Sequence, residues 1–200
     1  MADFTLLHTA VLHAATFDAL APDADFEHQI RPDWLQRAQG GIDIELRREI
    51  AQAIQAAEGA VLCSCTTIGD VAEAAGAIRI DWPMMLEAAR IGGPVLMAYC
   101  LESTAEPSQA LLRRAFGQLD PQLACLQLCQ HWPLFEAGDG SGFAGAVATD
   151  VLQRLEAGAF GCVILAQASM AGAAEAIRSG TEVPVLASPE LAAKYLLSKG

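Results

Sequence analysis

Basic residues are scarce in this chain, and they form no cluster along it. Twelve Lys and Arg stand against 24 Asp and Glu, so the formal net charge is -12. A protein with this balance has little electrostatic attraction for nucleic-acid phosphates or anionic lipid headgroups. We therefore expect no nucleic acid and no membrane among its partners.

The N-terminal region lacks positive charge, because no Lys or Arg precedes Arg31. Export and transit signals need such charge, so the sequence predicts a cytoplasmic protein. In that compartment the six cysteines are expected as free thiols. One uncharged run covers residues 157–174, but its glycines suit a buried strand and turn better than a membrane span.

Hydrophobic residues make up 53% of the 200 residues, which is enough to build a substantial core. Short apolar runs alternate with Ala-rich segments of helical period, a pattern typical of βα units around parallel sheets. Helices are predicted over 44–57 and 188–197. The predicted strands are 4–8, 59–65, 94–99, 122–128, 161–167 and 183–187.

The two halves of the chain repeat one another. Residues 59–74 match residues 161–176 without a gap at a constant offset, and a Gly-Gly-Pro segment at 92–94 is the predicted hinge between halves. The pattern predicts two related α/β lobes, one made of 1–92 with 182–200 and the other of 93–181. Chance similarity between two buried strand-helix units is the alternative.

Ligands of parallel sheets bind at the carboxyl ends of the strands. In this sequence those ends carry two equivalent turns, Cys65-Thr66-Thr67 in lobe one and Gln167-Ala168-Ser169 in lobe two. If both turns face an interlobe cleft, they form a small anion pocket with a thiol on one wall. A carboxylate fits such a pocket.

Cys65 is the candidate catalytic residue. A thiol just before a helix start is expected to have its pKa lowered by the nearby N–H groups, which makes the thiolate available as a base or nucleophile. The alternative is that Cys65 fills the core, as free cysteines often do. That is the interpretation we expect for Cys63, Cys100 and Cys162, which lie in or beside predicted strands.

Further substrate-binding candidates follow two other predicted strands. His8 and Thr9 end the first strand, although a hydrogen-bonded core imidazole is the alternative for His8. Ser103 and Thr104 follow strand 94–99 and precede a helix predicted to begin near Pro107. Their hydroxyl and N–H groups are expected to hold a carboxylate or, alternatively, to cap that helix.

Residues 61–67 resemble the cysteine-bearing turn of the aspartate/glutamate racemase superfamily. Residues 165–171 stand where members carry a second cysteine turn, and His8-Thr9 and Ile78-Arg79-Ile80-Asp81 extend the similarity over nearly the whole chain. The resemblance implies an α/β fold of two pseudo-symmetric flavodoxin-like lobes with parallel sheets. It also implies an interlobe active site that needs no metal and no organic cofactor.

The resemblance further implies proton transfer by Cys65 at the carbon next to the carboxylate of a small acid or amino acid. Racemases of the superfamily use two thiols, whereas this chain has Gln167 in place of the second. An amide exchanges no proton near neutral pH and is expected to bind the substrate instead. A single-cysteine decarboxylase, a cis-trans isomerase of a small dicarboxylate and a non-catalytic small-acid binding protein therefore stay open, as does a homo-oligomer.

Cys125, Cys129 and His131 lie close together in the sequence. Their spacing is not that of a zinc site and no second ligand pair follows, so no metal site is predicted. His131 is either a second acid-base group or a loop residue.

Overall fold

The computed structural model describes residues 3–198. Their contacts divide the chain into two compact units, which we call unit one, the residues up to Trp82 and from Pro189 on, and unit two, Pro83–Ser188. The boundaries predicted from the sequence lie at 92/93 and 181/182.

Within the described residues, each strand is followed along the chain by one or two α-helices. The strands are β1 Phe4–His8, β2 Phe26–Ile30, β3 Ala60–Cys63, β4 Ile78–Arg79, β5 Val95–Tyr99, β6 Leu123–Gln127, β7 Cys162–Leu165 and β8 Val185–Ala187. The helices are α1 Leu12–Leu20, α2 Pro32–Ala38, α3 Ile44–Ala56, α4 Gly69–Ala74, α5 Trp82–Ile91, α6 Glu102–Phe116, α7 Trp132–Glu136, α8 Gly140–Glu156, α9 Ala174–Gly180 and α10 Ser188–Leu197. Two 3-10 helices cover Cys129–His131 and Ala168–Ala173.

Each unit contains one four-stranded sheet in which all the pairings are parallel. The strand order is β2-β1-β3-β4 in unit one and β6-β5-β7-β8 in unit two. Both are the flavodoxin-like order, in which the second strand lies at one edge and the first beside the third. The prediction of two α/β units with parallel sheets is confirmed.

The repeat in the sequence corresponds to equivalent strands. Phe4 of β1 pairs with Ala60 of β3, and Val95 of β5 pairs with Cys162 of β7, so the central strands have the same register in both sheets. β3 ends at Cys63 and β7 ends at Leu165. Cys65 and Gln167 are therefore each the second residue past an equivalent strand.

Helix α3 shows how the sequence forms the core of unit one. Leu46, Ile50 and Ile54 recur at helical spacing and are buried, and each such side chain contributes about 1.5–3 kcal/mol when it leaves water. The Asp43 carboxylate accepts a hydrogen bond of 2.7 Å from the Leu46 N–H and caps the helix. The helices predicted over 44–57 and 188–197 are confirmed.

Two strands escaped the sequence patterns for physical reasons. β2 is an edge strand with three consecutive polar residues between Phe26 and Ile30 and is only half-buried, while β4 has just two residues. The predicted helix start near Pro107 is wrong, because α6 begins at Glu102 and contains the proline.

The uncharged run at 157–174 forms β7 and a 3-10 helix. Within residues 3–198, no helix is long and apolar enough to cross a membrane.

Candidate active site

The Cys65 thiol lies in the turn between β3 and α4 in unit one. Only 7% of the residue is exposed. The side-chain hydroxyls of Thr9 and Thr67 and the backbone N–H groups of Thr67 and Ile68 hydrogen-bond the sulfur. Several donors therefore converge on one buried thiol at the carboxyl end of a central strand, an arrangement that favours negative charge on sulfur.

The protonation state of Cys65 differs from the expectation. Burial raises the pKa of the thiol, and the hydrogen bonds from Thr9, Ile68 and Thr67 oppose this effect only in part. The predicted lowering of this pKa is wrong. The reason is that α4 begins four residues later, at Gly69, and has only six residues, so desolvation outweighs the local N–H groups.

Three other cysteines are part of the apolar core, as predicted. Cys63 is buried, and its thiol donates a hydrogen bond of 3.6 Å to the Cys65 carbonyl. Burial raises the pKa of Cys100 to about 12 and that of Cys162 to about 11. These thiols stay neutral and pack as small hydrophobic groups.

His8 is buried, and both of its ring nitrogens have hydrogen-bond partners. Nδ1 lies 2.7 Å from the Ser64 hydroxyl, and Nε2 lies 2.9 Å from Nδ1 of His28. This is the satisfied core imidazole that the sequence left open, and it leaves no ring nitrogen for a substrate. Thr9, the next residue, contacts the Cys65 sulfur and so belongs to the thiol site.

A buried ion pair supports the turn from the side of β4. The Arg79 guanidinium donates two hydrogen bonds, of 2.9 and 2.8 Å, to the Asp81 carboxylate, and both side chains are 1% exposed. Arg79 also pairs with Asp70 in the first turn of α4. The Ile80 N–H donates to the Cys63 carbonyl at 3.0 Å. These contacts fix the polypeptide on both sides of Cys65.

In unit two the equivalent turn has a different chemistry. The side-chain oxygen of Gln167 accepts hydrogen bonds from the N–H groups of Cys100, at 2.5 Å, and Leu101, at 3.0 Å. The oxygen of the amide is thus occupied by backbone N–H groups of the same unit, and only the NH₂ group is left to donate to a ligand. Ala168 is buried, and the Ser169 hydroxyl is buried with no hydrogen-bond partner among the described residues.

The predicted residues thus form two groups, one in each unit. Unit one contains Cys65 with Thr9, Thr66 and Thr67, all of them buried. In unit two, the start of α6 brings Ser103 and Thr104 into its first turn, directly after the Leu101 that Gln167 binds.

No family model matches the sequence, and no curated protein matches it. Solved structures do match. Glutamate racemase from Francisella tularensis, in complex with D-glutamate, has a TM-score of 0.74 at 13% identity over 99% of this chain and 80% of its own. Allantoin racemase from Klebsiella pneumoniae has a TM-score of 0.67 at 18% identity over 99% of this chain and 87% of its own. The chain has the racemase fold.

A glutamate racemase from Thermus thermophilus, in complex with β-chloro-D-alanine, matches at a TM-score of 0.66 and 21% identity, over 99% of this chain and 80% of its own. These neighbours belong to the aspartate/glutamate/hydantoin racemase superfamily. The resemblance found in the sequence is confirmed for the fold. At these identities the comparison concerns the fold alone.

Within this racemase fold, His131 is paired with Asp150 of α8 at 2.8 Å. Cys125 is exposed on β6, and Cys129 begins the 3-10 helix that ends at His131. In the part of the chain that the structure describes, no three His, Cys, Asp or Glu side chains come together as metal ligands would.

Sequence reasoning missed His13, His28, Ser64 and Asp18, which join His8 in one hydrogen-bonded array in unit one. One signal was present in the sequence. Three of the four histidines lie within the first 28 residues, although nothing in their spacing shows that β1, β2 and α1 bring them together.

Proposed function

We propose that this protein is an isomerase of the racemase type that moves a proton at the carbon α to the carboxylate of a small acid or amino acid. Cys65 is its acid-base group, and the reaction uses neither a metal nor an organic cofactor. The observation that carries the proposal is the Cys65 sulfur, buried at the end of β3 and hydrogen-bonded by Thr9, Thr67 and Ile68. The racemase fold of the chain supports it.

The chemistry needs two properties of this thiol. As a thiolate, Cys65 removes the α proton: the C–H bond breaks, an S–H bond forms, and the electron pair moves into the carboxylate to give an enediolate. The converging donors stabilise the sulfur when it carries charge. Delivery of a proton from a second donor to the opposite face of the enediolate forms the new C–H bond, inverts the carbon and completes the reaction.

A second candidate is a one-thiol decarboxylation of a substituted malonate. There the C–C bond breaks, CO₂ leaves, and the Cys65 S–H protonates the resulting enediolate. Two observations favour it. The pKa of Cys65 is raised, which keeps the thiol protonated and able to donate, and the chain has Gln167 in place of a second thiol. The names of the structural neighbours, which include a glutamate and an allantoin racemase, favour the first candidate.

The deciding experiment follows deuterium from D₂O into the α carbon of glutamate, other amino acids, allantoin and substituted malonates, with chiral chromatography of each product. We expect incorporation for one of these classes. Two-sided racemisation labels both enantiomers, whereas decarboxylation with one proton donor labels a single enantiomer.

Replacing the thiol provides the test of Cys65 itself. Cys65→Ser should reduce deuterium incorporation by at least about 100-fold, since a positioned acid-base group contributes about 10²–10⁴-fold. Cys125→Ser is the matched control, because it removes an exposed thiol of unit two. Equal losses in both variants would contradict the assignment. Binding of a small acid without any incorporation would favour a non-catalytic binding protein.

Alkylation of the free protein gives an independent test of the Cys65 environment. A buried thiol with a raised pKa reacts slowly, so iodoacetamide should label Cys125 well before Cys65 at neutral pH. Mass spectrometry of peptides at increasing times measures the order. Rapid labelling of Cys65 would show that its thiol is exposed and ionised, against the proposed environment.

A further inference from the structure

A continuous hydrogen-bonded array crosses unit one from its surface to a buried imidazole. Asp18 Oδ1 lies 2.9 Å from Nε2 of His28, and Nδ1 of His28 lies 2.9 Å from Nε2 of His8. Nδ1 of His8 lies 2.7 Å from the Ser64 hydroxyl. The same hydroxyl lies 3.4 Å from Nδ1 of His13. The array thus has an exposed end at Asp18, whose side chain is 63% exposed, and a buried end at His13, which is 8% exposed.

The exposed end determines the direction of every hydrogen bond. An ionised Asp18 only accepts, so His28 donates from Nε2 and its Nδ1 becomes an acceptor. His8 must then donate from Nε2, and its Nδ1 accepts the proton of a hydroxyl. In each of these hydrogen bonds the donor therefore lies on the side away from Asp18 and the acceptor on the side nearer to it.

The same logic extends to its buried end. The Ser64 hydroxyl donates to His8, so it accepts from Nδ1–H of His13. In the neutral His13 ring, Nε2 then carries no proton and offers a lone pair as an acceptor. This atom is buried and has no partner among the described residues. An unpaired buried acceptor destabilises the folded protein, and a ligand that donates a proton or hydrogen bond to it would offset this cost.

We propose that the His13 Nε2 atom accepts a proton in unit one, and that Ser64, His8 and His28 relay the equivalent of that proton to Asp18 and solvent. The inference rests on the proposed function for the origin of the proton, which is a substrate C–H, N–H or O–H group or the Cys65 thiol. It adds a second proton-accepting group to a chain that lacks the second thiol.

The transfer balances without any charged imidazole. The donor loses its proton to Nε2 of His13, whose Nδ1–H proton moves to the Ser64 oxygen. The Ser64 proton moves to Nδ1 of His8, the Nε2 proton of His8 moves to His28, and the Nε2 proton of His28 moves to Asp18. The donor ends with a negative charge and Asp18 as a neutral acid, which then releases its proton to water. Every hydrogen bond of the array is reversed.

The burial of the inner imidazoles agrees with a neutral relay. Desolvation, together with the neighbouring His13 and His28, lowers the pKa of His8 to about 3, and desolvation lowers the pKa of His13 to about 4. Neither ring carries a stable positive charge near neutral pH, so protons move along the array by exchange of tautomers.

Nitrogen-15 NMR of the histidine rings in the intact, ligand-free protein tests the array directly, because protonated and bare ring nitrogens have well-separated shifts. At neutral pH we expect the Nε2–H tautomer for His28 and His8 and the Nδ1–H tautomer for His13. A Nε2–H tautomer of His13 in the wild-type protein would overturn the proposal.

Two substitutions sharpen the test. Asp18→Ala removes the exposed acceptor, so His13 should change from one tautomer to a mixture of both. Ser64→Ala should shift His13 towards Nε2–H and leave His28 unchanged. Thr16→Ala, which removes a hydroxyl bonded to the Leu12 carbonyl on the same helix, is the control and should change no tautomer. An unchanged His13 in both Asp18→Ala and Ser64→Ala would refute the relay.

The tautomers are measured without substrate, so this test is separate from that of the proposed function. If Cys65→Ser abolishes deuterium incorporation but His13 is a Nε2–H tautomer, the relay fails and the function of Cys65 stands. If the tautomers agree but Cys65→Ser keeps full activity, the array stands and the role of Cys65 fails.

Discussion

The turns after β3 and β7 occupy equivalent places in two sheets of the same order, yet their side chains differ in kind. All four side chains of the turn in unit one carry a hydroxyl or a thiol, whereas the turn of unit two has two alanines, one amide and one hydroxyl. The aligned pairs are Ser64 with Ala166, Cys65 with Gln167, Thr66 with Ala168 and Thr67 with Ser169. A common strand order therefore does not imply a common chemistry.

The surroundings of the two turns differ in the same way. In unit one the turn is supported by the buried Arg79–Asp81 pair and by the array that ends at His13. In unit two the turn is held by the side-chain oxygen of Gln167, which accepts hydrogen bonds from the backbone N–H groups of Cys100 and Leu101. Burying so many polar groups in unit one costs free energy, which their hydrogen bonds offset. A substitution that removes one partner leaves the other buried without it, so the turn of unit one is sensitive to single substitutions.

The largest effect on stability is expected from breaking the buried ion pair. Arg79→Met leaves the Asp81 carboxylate buried without its partner and should lower the free energy of unfolding by about 3–5 kcal/mol. Urea unfolding and amide hydrogen exchange measure the loss, the latter for each unit separately.

Two further variants control this prediction. Asp70→Ala removes the partner whose side chain is 60% exposed and should cost less than about 1 kcal/mol. The double variant with Arg79→Met and Asp81→Leu removes both charges and should recover part of the loss. Equal losses for Asp70→Ala and Arg79→Met would mean that burial of the pair is unimportant.

Acid is expected to destabilise the protein through its buried histidines. The folded-state pKa values of His8 and His13, about 3 and about 4, lie below the ordinary value. As the pH falls below about 6.5, the unfolded chain binds protons that the folded chain does not. Each of these two histidines should therefore lower the free energy of unfolding by on the order of 2–3 kcal/mol by pH 4. His13→Gln should flatten the pH dependence of the unfolding free energy between pH 6.5 and 4.

His131→Gln is the matched change for the acid prediction, because it removes the single histidine of unit two. It leaves the buried array of unit one intact, so the loss of stability in acid that His8 and His13 cause should persist. A slope that responds equally to both substitutions would assign the acid sensitivity to something other than the buried array.

Exchanging the amide for a thiol in unit two tests how far the two turns are equivalent. Gln167→Cys removes the oxygen that accepts from Cys100 and Leu101, so it should cost about 2 kcal/mol. Gln167→Glu retains an oxygen acceptor and should cost less. If the second thiol acts like Cys65, the Gln167→Cys variant should also label both enantiomers in D₂O; labelling of one enantiomer only would show that the two positions are not interchangeable.

The smallest effect compares one glycine from each unit. A Cβ atom at Gly69 would lie 3.0 Å from Nε of Arg79, which two carboxylates hold in place, so Gly69→Ala should destabilise the protein by about 1–2 kcal/mol. Gly145→Ala lies in the middle of α8 with open space around the new methyl group and should stabilise it by about 0.5–1 kcal/mol. Thermal unfolding of both variants gives the two signs.

The sequence was sufficient to predict the repeating scaffold, because hydrophobic periodicity is a local property. β1, α3 and α10 were predicted to within one residue of their bounds, and the gapless repeat identified Cys65 and Gln167 as equivalent positions. The racemase resemblance in the short motifs at 61–67 and 165–171 agrees with the fold. The roles of the site residues stay predictions.

Tertiary structure decided the environment of the chemical groups. Whether the pKa of Cys65 rises or falls depends on the balance between burial and hydrogen bonds from Thr9 and Thr67, and that balance needs the folded environment of the turn. The array from Asp18 to His13 likewise exists only because β1, β2, α1 and the end of β3 meet in space. Desolvation and hydrogen-bond geometry arise between residues distant in sequence, so the chain determines them only once it is folded.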